Sequence, residues 1–124
     1  MKHVLALGSL LAAAAGCGLE TDERPASFSY LHEAILRPSC ATAACHSAQN
    51  NRALVNLQDR DEALSYWNTA APAERSSMYR LIGGETDPDF TIELQGGRMP
   101  LDAPLPQADI LLIGRWLDEG AQDN

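Results

Sequence analysis

Two thiols and an imidazole crowd one short stretch of this chain, Cys40-Ala41-Thr42-Ala43-Ala44-Cys45-His46. Any fold must serve that cluster. Thiols this close on one segment can add to the two vinyl groups on one edge of a porphyrin, forming thioethers. A histidine directly after the second thiol then places its imidazole under the iron, just past that edge. The usual attachment motif has two residues between the cysteines; here there are four. Two other readings use the same residues. Cys40 and Cys45 could close a small disulfide, with His46 an ordinary surface residue. They could also bind a metal, but a structural zinc site takes four ligands. The cluster offers three, and no further cysteine or histidine lies near it in sequence.

The chain has 124 residues, which points to one domain. Residues 1–16 read as a secretory signal: Lys2 supplies a positive start, and Val4 to Ala15 is an apolar run. A membrane-spanning helix needs about 20 apolar residues. This run is shorter and ends in small residues, as a cleaved signal does. An exported chain enters an oxidising compartment, where two neighbouring bare thiols end as a disulfide or under a cofactor. Loss of residues 1–16 removes Lys2 and no acid, leaving eight arginines against 17 acids, a net of −9. Nucleic-acid binding is disfavoured, because phosphates need a basic surface. An acidic face can steer a basic redox partner, or simply keep the domain solvated.

Along the mature chain, Leu19 to Ala26 is polar and reads as a tether, with the domain beginning near Ser27. Ser29 is a candidate N-cap for a helix over about Tyr30 to Leu36, which Pro38 ends by disfavouring helical geometry at Arg37. The stretch from His46 to Asn56 reads as loop. Asp59 or Asp61 starts a helix through Ala63, Leu64, Tyr66 and Trp67 that stops before Pro72. Ala73 to Ile82 reads as another, with Gly83-Gly84 as its stop. Phe90, Ile92 and Leu94 alternate briefly, as in a short strand or an extended loop. In Gly96-Gly97-Arg98-Met99-Pro100 two glycines free the backbone to pass close to something bulky, and Pro100 stiffens the segment, so Met99 points inward from a loop. The last helix runs from about Pro106 to Glu119, with Ile110, Ile113 and Leu117 as its apolar stripe. Gly120 ends it, and the rest reads as a tail.

Three stretches together resemble a known family: the N-terminal helix leading into "ILRPSCATAACH", the "GGRMP" loop, and the terminal helix "ADILLIGRWLDEGA". They resemble a small class I c-type cytochrome of the planctomycete-type lipoprotein kind. The fold this implies is mostly α, a small helical domain wrapped around one haem with long irregular loops. Cys40 and Cys45 would be the thioether cysteines, His46 the proximal ligand and Met99 the distal ligand. Trp116 would pack near the contact of the first and last helices. The chain departs from the family in its expanded motif. It also lacks the Gly-Pro that commonly follows the ligand histidine and whose carbonyl accepts the Nδ1 proton, so another carbonyl must fix the His46 ring. Ala14-Ala15-Gly16-Cys17 resembles a bacterial lipobox, which implies cleavage before Cys17 and lipidation of that residue. The domain plan is then a signal peptide over 1–16, a lipidated cysteine and tether over 17–26, and the cytochrome domain over 27–124. Gly18 rather than Asp after Cys17 favours outer-membrane sorting by analogy with known lipoproteins.

The remaining chemistry-bearing residues have plainer readings. Met78 lies at helical spacing and reads as core; His32 reads as a surface or structural residue. Tyr66, Trp67 and Tyr79 read as lining the haem or as filling a helical core, and Arg80 and Arg98 as partners of its propionates or as solvated surface. Nothing suggests acid–base catalysis. The expectation is an exported, lipid-anchored monohaem cytochrome with covalent haem c. It moves electrons between redox partners in the periplasm or membrane and is not an enzyme. The rival is a haem-free exported lipoprotein, a binding module with a structural Cys40–Cys45 disulfide. A domain this small has a marginal core and often needs a cofactor or staple. A disulfide closing so short a loop constrains the unfolded chain only slightly.

Overall fold

In the computed structural model, residues 21–67, 72–73, 76–83 and 98–124 are described. The signal sequence, Cys17, the alternation at Phe90, Ile92 and Leu94, and the glycines Gly84, Gly96 and Gly97 lie outside them. Among the described residues the chain is mostly helical and has no strand, only one isolated bridge between His46 and Asn51.

The first helical run begins two residues earlier than the sequence suggests. Ser27, not Ser29, is the N-cap of α1 (Phe28–Leu31), its hydroxyl accepting from the Tyr30 N–H. The run also does not stop before Pro38. It widens into a π-turn over His32–Leu36 and continues as α2 (Arg37–Cys40). In an ordinary α-helix Pro38 would leave the Ala34 carbonyl without a donor and press its ring against it. The π-turn moves the ladder by one residue: the Arg37 N–H bonds to the His32 carbonyl. Such single-turn bulges are a known way for a helix to absorb a misfit. The consequence is positional, because Cys40 stands on the last helical residue rather than in a loop.

The later helices follow their start and stop signals closely. Asp59 caps α3 (Arg60–Trp67), its carboxylate accepting from the N–H groups of Asp61 and Glu62. Ser76 caps α4 (Ser77–Leu81) through the Tyr79 N–H; this helix is shorter than expected and begins after Ala73. Gly83 follows it at φ +102°, a conformation that suits glycine. Helix α5 (Gln107–Asp118) ends before Gly120, at φ +100°.

The core lies between α1 with its π-turn, α3 and α5. Phe28, Leu31, Ile35 and Leu36 share one buried cluster with Ala63, Leu64 and Trp67 and with Ile110, Ile113, Trp116 and Leu117. The rings of Phe28 and Trp116 sit 5.3 Å apart and tilted, so Trp116 does stand where the first and last helices touch. Burying one large apolar side chain is worth about 1.5–3 kcal/mol, so this aromatic contact is a main fastening of the two ends.

Residues 22–24 and 121–124 are more tightly held than the sequence implied. Residues 22–24, expected within a tether, lie on α5. Arg24 pairs with Asp22 at 2.8 Å and with Asp109 at 2.5 Å, and Arg115 donates to the carbonyls of Asp22 and Arg24. Residues 121–124, expected as a tail, close over the start of α1. Asn124 accepts from the Phe28 and Ser29 N–H groups, the Trp116 indole donates to the Gln122 carbonyl at 2.9 Å, and Ala121 is buried. Unsatisfied N–H groups at a helix start need such partners.

Candidate functional site

The Cys40–His46 segment is a compact turn with its backbone groups paired. The Cys45 N–H bonds to the Thr42 carbonyl at 2.9 Å, and the His46 N–H returns to the Cys40 carbonyl at 3.1 Å. The two residues that expand the motif are thus taken up in a turn, and His46 comes back beside the end of α2. Asn50 donates its side-chain amide to the Ala44 carbonyl at 3.2 Å. Cys40 and Cys45 are both free thiols and both half-buried.

The His46 ring is fixed from one side. Its Nδ1 lies 3.0 Å from the Arg52 carbonyl oxygen. A carbonyl can only accept, so Nδ1 carries the proton and Nε2 keeps its lone pair. That is the tautomer in which an imidazole binds a metal through Nε2 while a backbone acceptor orients it. The acceptor is in turn well placed. His46 and Asn51 form the isolated bridge, and Arg52–Leu54 is a single 3-10 turn in which Ala53 and Leu54 have φ of 56° and 61°. Two adjacent non-glycine residues at positive φ are uncommon. Tyr66, reaching across from α3, donates its hydroxyl to the Leu54 carbonyl at 2.5 Å and holds the turn.

A second connection runs from His46 to the core. Its carbonyl accepts from the Leu57 N–H at 2.8 Å, and the Leu57 carbonyl accepts from His32 Nε2 at 3.1 Å. His32 is 2 % exposed, so it is an interior residue and not a surface one. It stacks on Phe28 with centroids 5.8 Å apart. Its role is to tie the first helical run to the loop that carries His46.

Met99 is half-buried, and its N–H bonds to the Leu81 carbonyl at 2.7 Å, which fastens the loop to the end of α4. Arg98 packs its stem over Gly83. Met78, in α4, packs against the core as expected. Burial pushes the Cys40 thiol up to about 11, and the charges of Cys45 and of Asp102, three residues after Met99, push in the same direction. Two buried side-chain nitrogens have no hydrogen-bond partner: His32 Nδ1 and the indole N–H of Trp67, which is 1 % exposed. Buried donors are nearly always paired, and an unpaired one costs about 1–3 kcal/mol.

Two unbonded thiols and an imidazole with its Nε2 free thus share one turn, while the Met99 thioether stands on a separate loop fastened to the end of α4. This set suits a metal ion poorly. Among the described residues no three His, Cys, Asp or Glu side chains converge on one point. The sequence named Cys40, Cys45, His46 and Met99 but could not name Arg52, because the group that acts is its backbone carbonyl and every residue has one. No family model, curated protein or solved structure matches the chain.

Proposed function

We propose that this chain is a small monohaem c-type cytochrome that carries single electrons. It is exported and anchored by lipid on Cys17, and it exchanges electrons with redox proteins of the periplasm or membrane. What carries the reading is the 3.0 Å contact between His46 Nδ1 and the Arg52 carbonyl. It supplies the orienting acceptor that the missing Gly-Pro would otherwise provide, and it leaves Nε2 free beside two unbonded cysteines.

In this reading Cys40, from the end of α2, and Cys45, from the turn, hold the haem through thioethers. His46 Nε2 and the Met99 sulfur would be the donors that hold its iron. The bound haem supplies a one-electron iron couple. The protein sets the character of that couple through the donors it presents. The Met99 thioether is soft and uncharged and favours the ferrous form, raising the potential. The Arg52 carbonyl pulls on the Nδ1 proton and makes His46 a stronger donor. Both donors are held from their own backbones, Met99 through Leu81 and His46 through Cys40 and Leu57. Neither needs to move when the charge changes, which keeps reorganisation small.

The test is spectroscopic, on protein matured in a host with haem-attachment machinery. The native chain should be red with sharp reduced bands and should not bind carbon monoxide. Met99→Ala should keep the covalent haem, bind carbon monoxide and show a lower potential. Native protein that already binds carbon monoxide would remove Met99 from the iron. A colourless protein with a Cys40–Cys45 disulfide would replace the whole reading.

A further inference from the structure

We infer that α5 is the face this domain turns toward a lipid bilayer, held there by the clamp at residues 22–24. The inference rests on the reading of Cys17 as a lipidated anchor. Only Gly18, Leu19, Glu20 and Thr21 stand between Cys17 and Asp22. Asp22 is already fixed to the domain: its carbonyl accepts from Arg115 Nη1 at 2.9 Å, and its carboxylate pairs with Arg24. At about 3.3–3.6 Å per extended residue, the steps from Cys17 to Asp22 reach at most about 18 Å. A domain of this size has a radius of gyration of about 13 Å, so its full width exceeds that reach. Acyl chains entering a leaflet at Cys17 therefore hold the Arg115 side of α5 close to the headgroups. With residues 22–26 loose, as the sequence alone suggested, the reach would be about twice as long and would favour no face.

The surface beside the clamp suits a headgroup layer. Leu111 lies one helical turn before Arg115 on the same side of α5, and it is 58 % exposed. Gln107 and Ala108, also exposed on that side, carry no charge. The one acid in the first turn, Asp109, is taken by Arg24. Among the described residues of α5, further carboxylates on this side come only at the far end, with Asp118 and Glu119, while the clamp itself carries the exposed Glu23. The mature chain as a whole carries a net of −9, and so acidic a domain on a loose tether would be pushed away from anionic lipids. A short clamp beside the uncharged Gln107, Ala108 and Leu111 opposes that push. Electron partners then dock on the faces away from α5 and within about one domain width of the membrane, which selects membrane-embedded redox proteins.

Photocrosslinking tests this on the lipidated, haem-loaded chain. The protein is placed in phosphatidylcholine–phosphatidylglycerol vesicles containing a headgroup-diazirine phospholipid, and adducts are mapped by peptide mass. The inference expects adducts concentrated on Gln107–Leu111 and none on the equally open turn Arg52–Leu54. Inserting about ten Gly/Ser residues after Gly18, which adds about 17 Å of typical span, should remove most of the α5 adducts. Leu111→Asp should lower them without unfolding an exposed site. Adducts spread evenly over the surface, or unchanged by the insertion, overturn the inference. An intact mass lacking lipid overturns the anchor reading and the inference with it, and the mass spectrum separates that result from the first.

Discussion

Cys40 and Cys45 differ in environment although they share one turn. Burial and the nearby charge of Asp102 raise the Cys40 thiol to about 11, while Cys45 lies beyond the helix end. Thiolate is the reacting species, so in the haem-free chain at mildly alkaline pH iodoacetamide should label Cys45 faster than Cys40. Peptide mass mapping of a short reaction reads this, and faster labelling of Cys40 would contradict the environment described. The raised value also fixes a sign. The unfolded chain ionises Cys40 first, so the haem-free fold loses stability as pH rises from about 9 to 11. The residue scale also shows where sequence reading stops. Cys40, Cys45, His46 and Met99 announce themselves by type and spacing. Arg52 acts through its carbonyl and His32 through burial, and neither leaves a mark in the sequence.

At the scale of elements, α3 and α5 were legible because caps and apolar spacing agreed: Asp59 before Arg60, Pro106 before Gln107, Gly120 after Asp118. The first helix was legible in place but not in length. The rule that proline ends a helix failed at Pro38, because a π-turn supplies a register in which its missing N–H costs little. The packing of α4 on α5 was not legible at all, since it depends on a single absent side chain. A Cβ at Gly114 would stand 2.7 Å from the Tyr79 hydroxyl and 2.9 Å from its ring. Gly114→Ala should therefore push Tyr79 and α4 off α5. Overpacking of this kind costs about 1–3 kcal/mol, and each kcal/mol lowers Tm by about 4–8 °C in a domain this small. Thermal unfolding followed by circular dichroism checks it. An unchanged or raised Tm would mean that Tyr79 has room to move.

For the molecule as a whole, both ends of the described residues, 22–24 and 121–124, close onto the body, and the closure at residues 22–24 is ionic. The hydrogen bonds from Arg24 hold the Asp22 carboxyl down to about 2, and Arg115 adds to the effect. A depressed carboxylate contributes stability that is fully present above its unfolded value of 3.8 and is lost as pH falls toward 2. The clamp should thus persist at pH 5 and open between about pH 4 and pH 2, seen as a titration of Asp22 by NMR and as loss of amide protection at Arg24. Because the pair is at the surface, high salt should weaken it. A titration of Asp22 near its ordinary value would mean that the clamp is not formed in solution. Neither closure could be read from sequence, since short polar ends look the same whether they dock or not.

Proteolytic mapping of the matured chain decides whether Cys40 and Cys45 together carry one haem with His46 beneath it, by weighing the peptide that spans Cys40 to His46. This peptide should carry the mass of one haem, absorb in the Soret region and have no thiol left to alkylate. A peptide of bare polypeptide mass, with Cys40 and Cys45 free or joined to each other, would contradict that attachment.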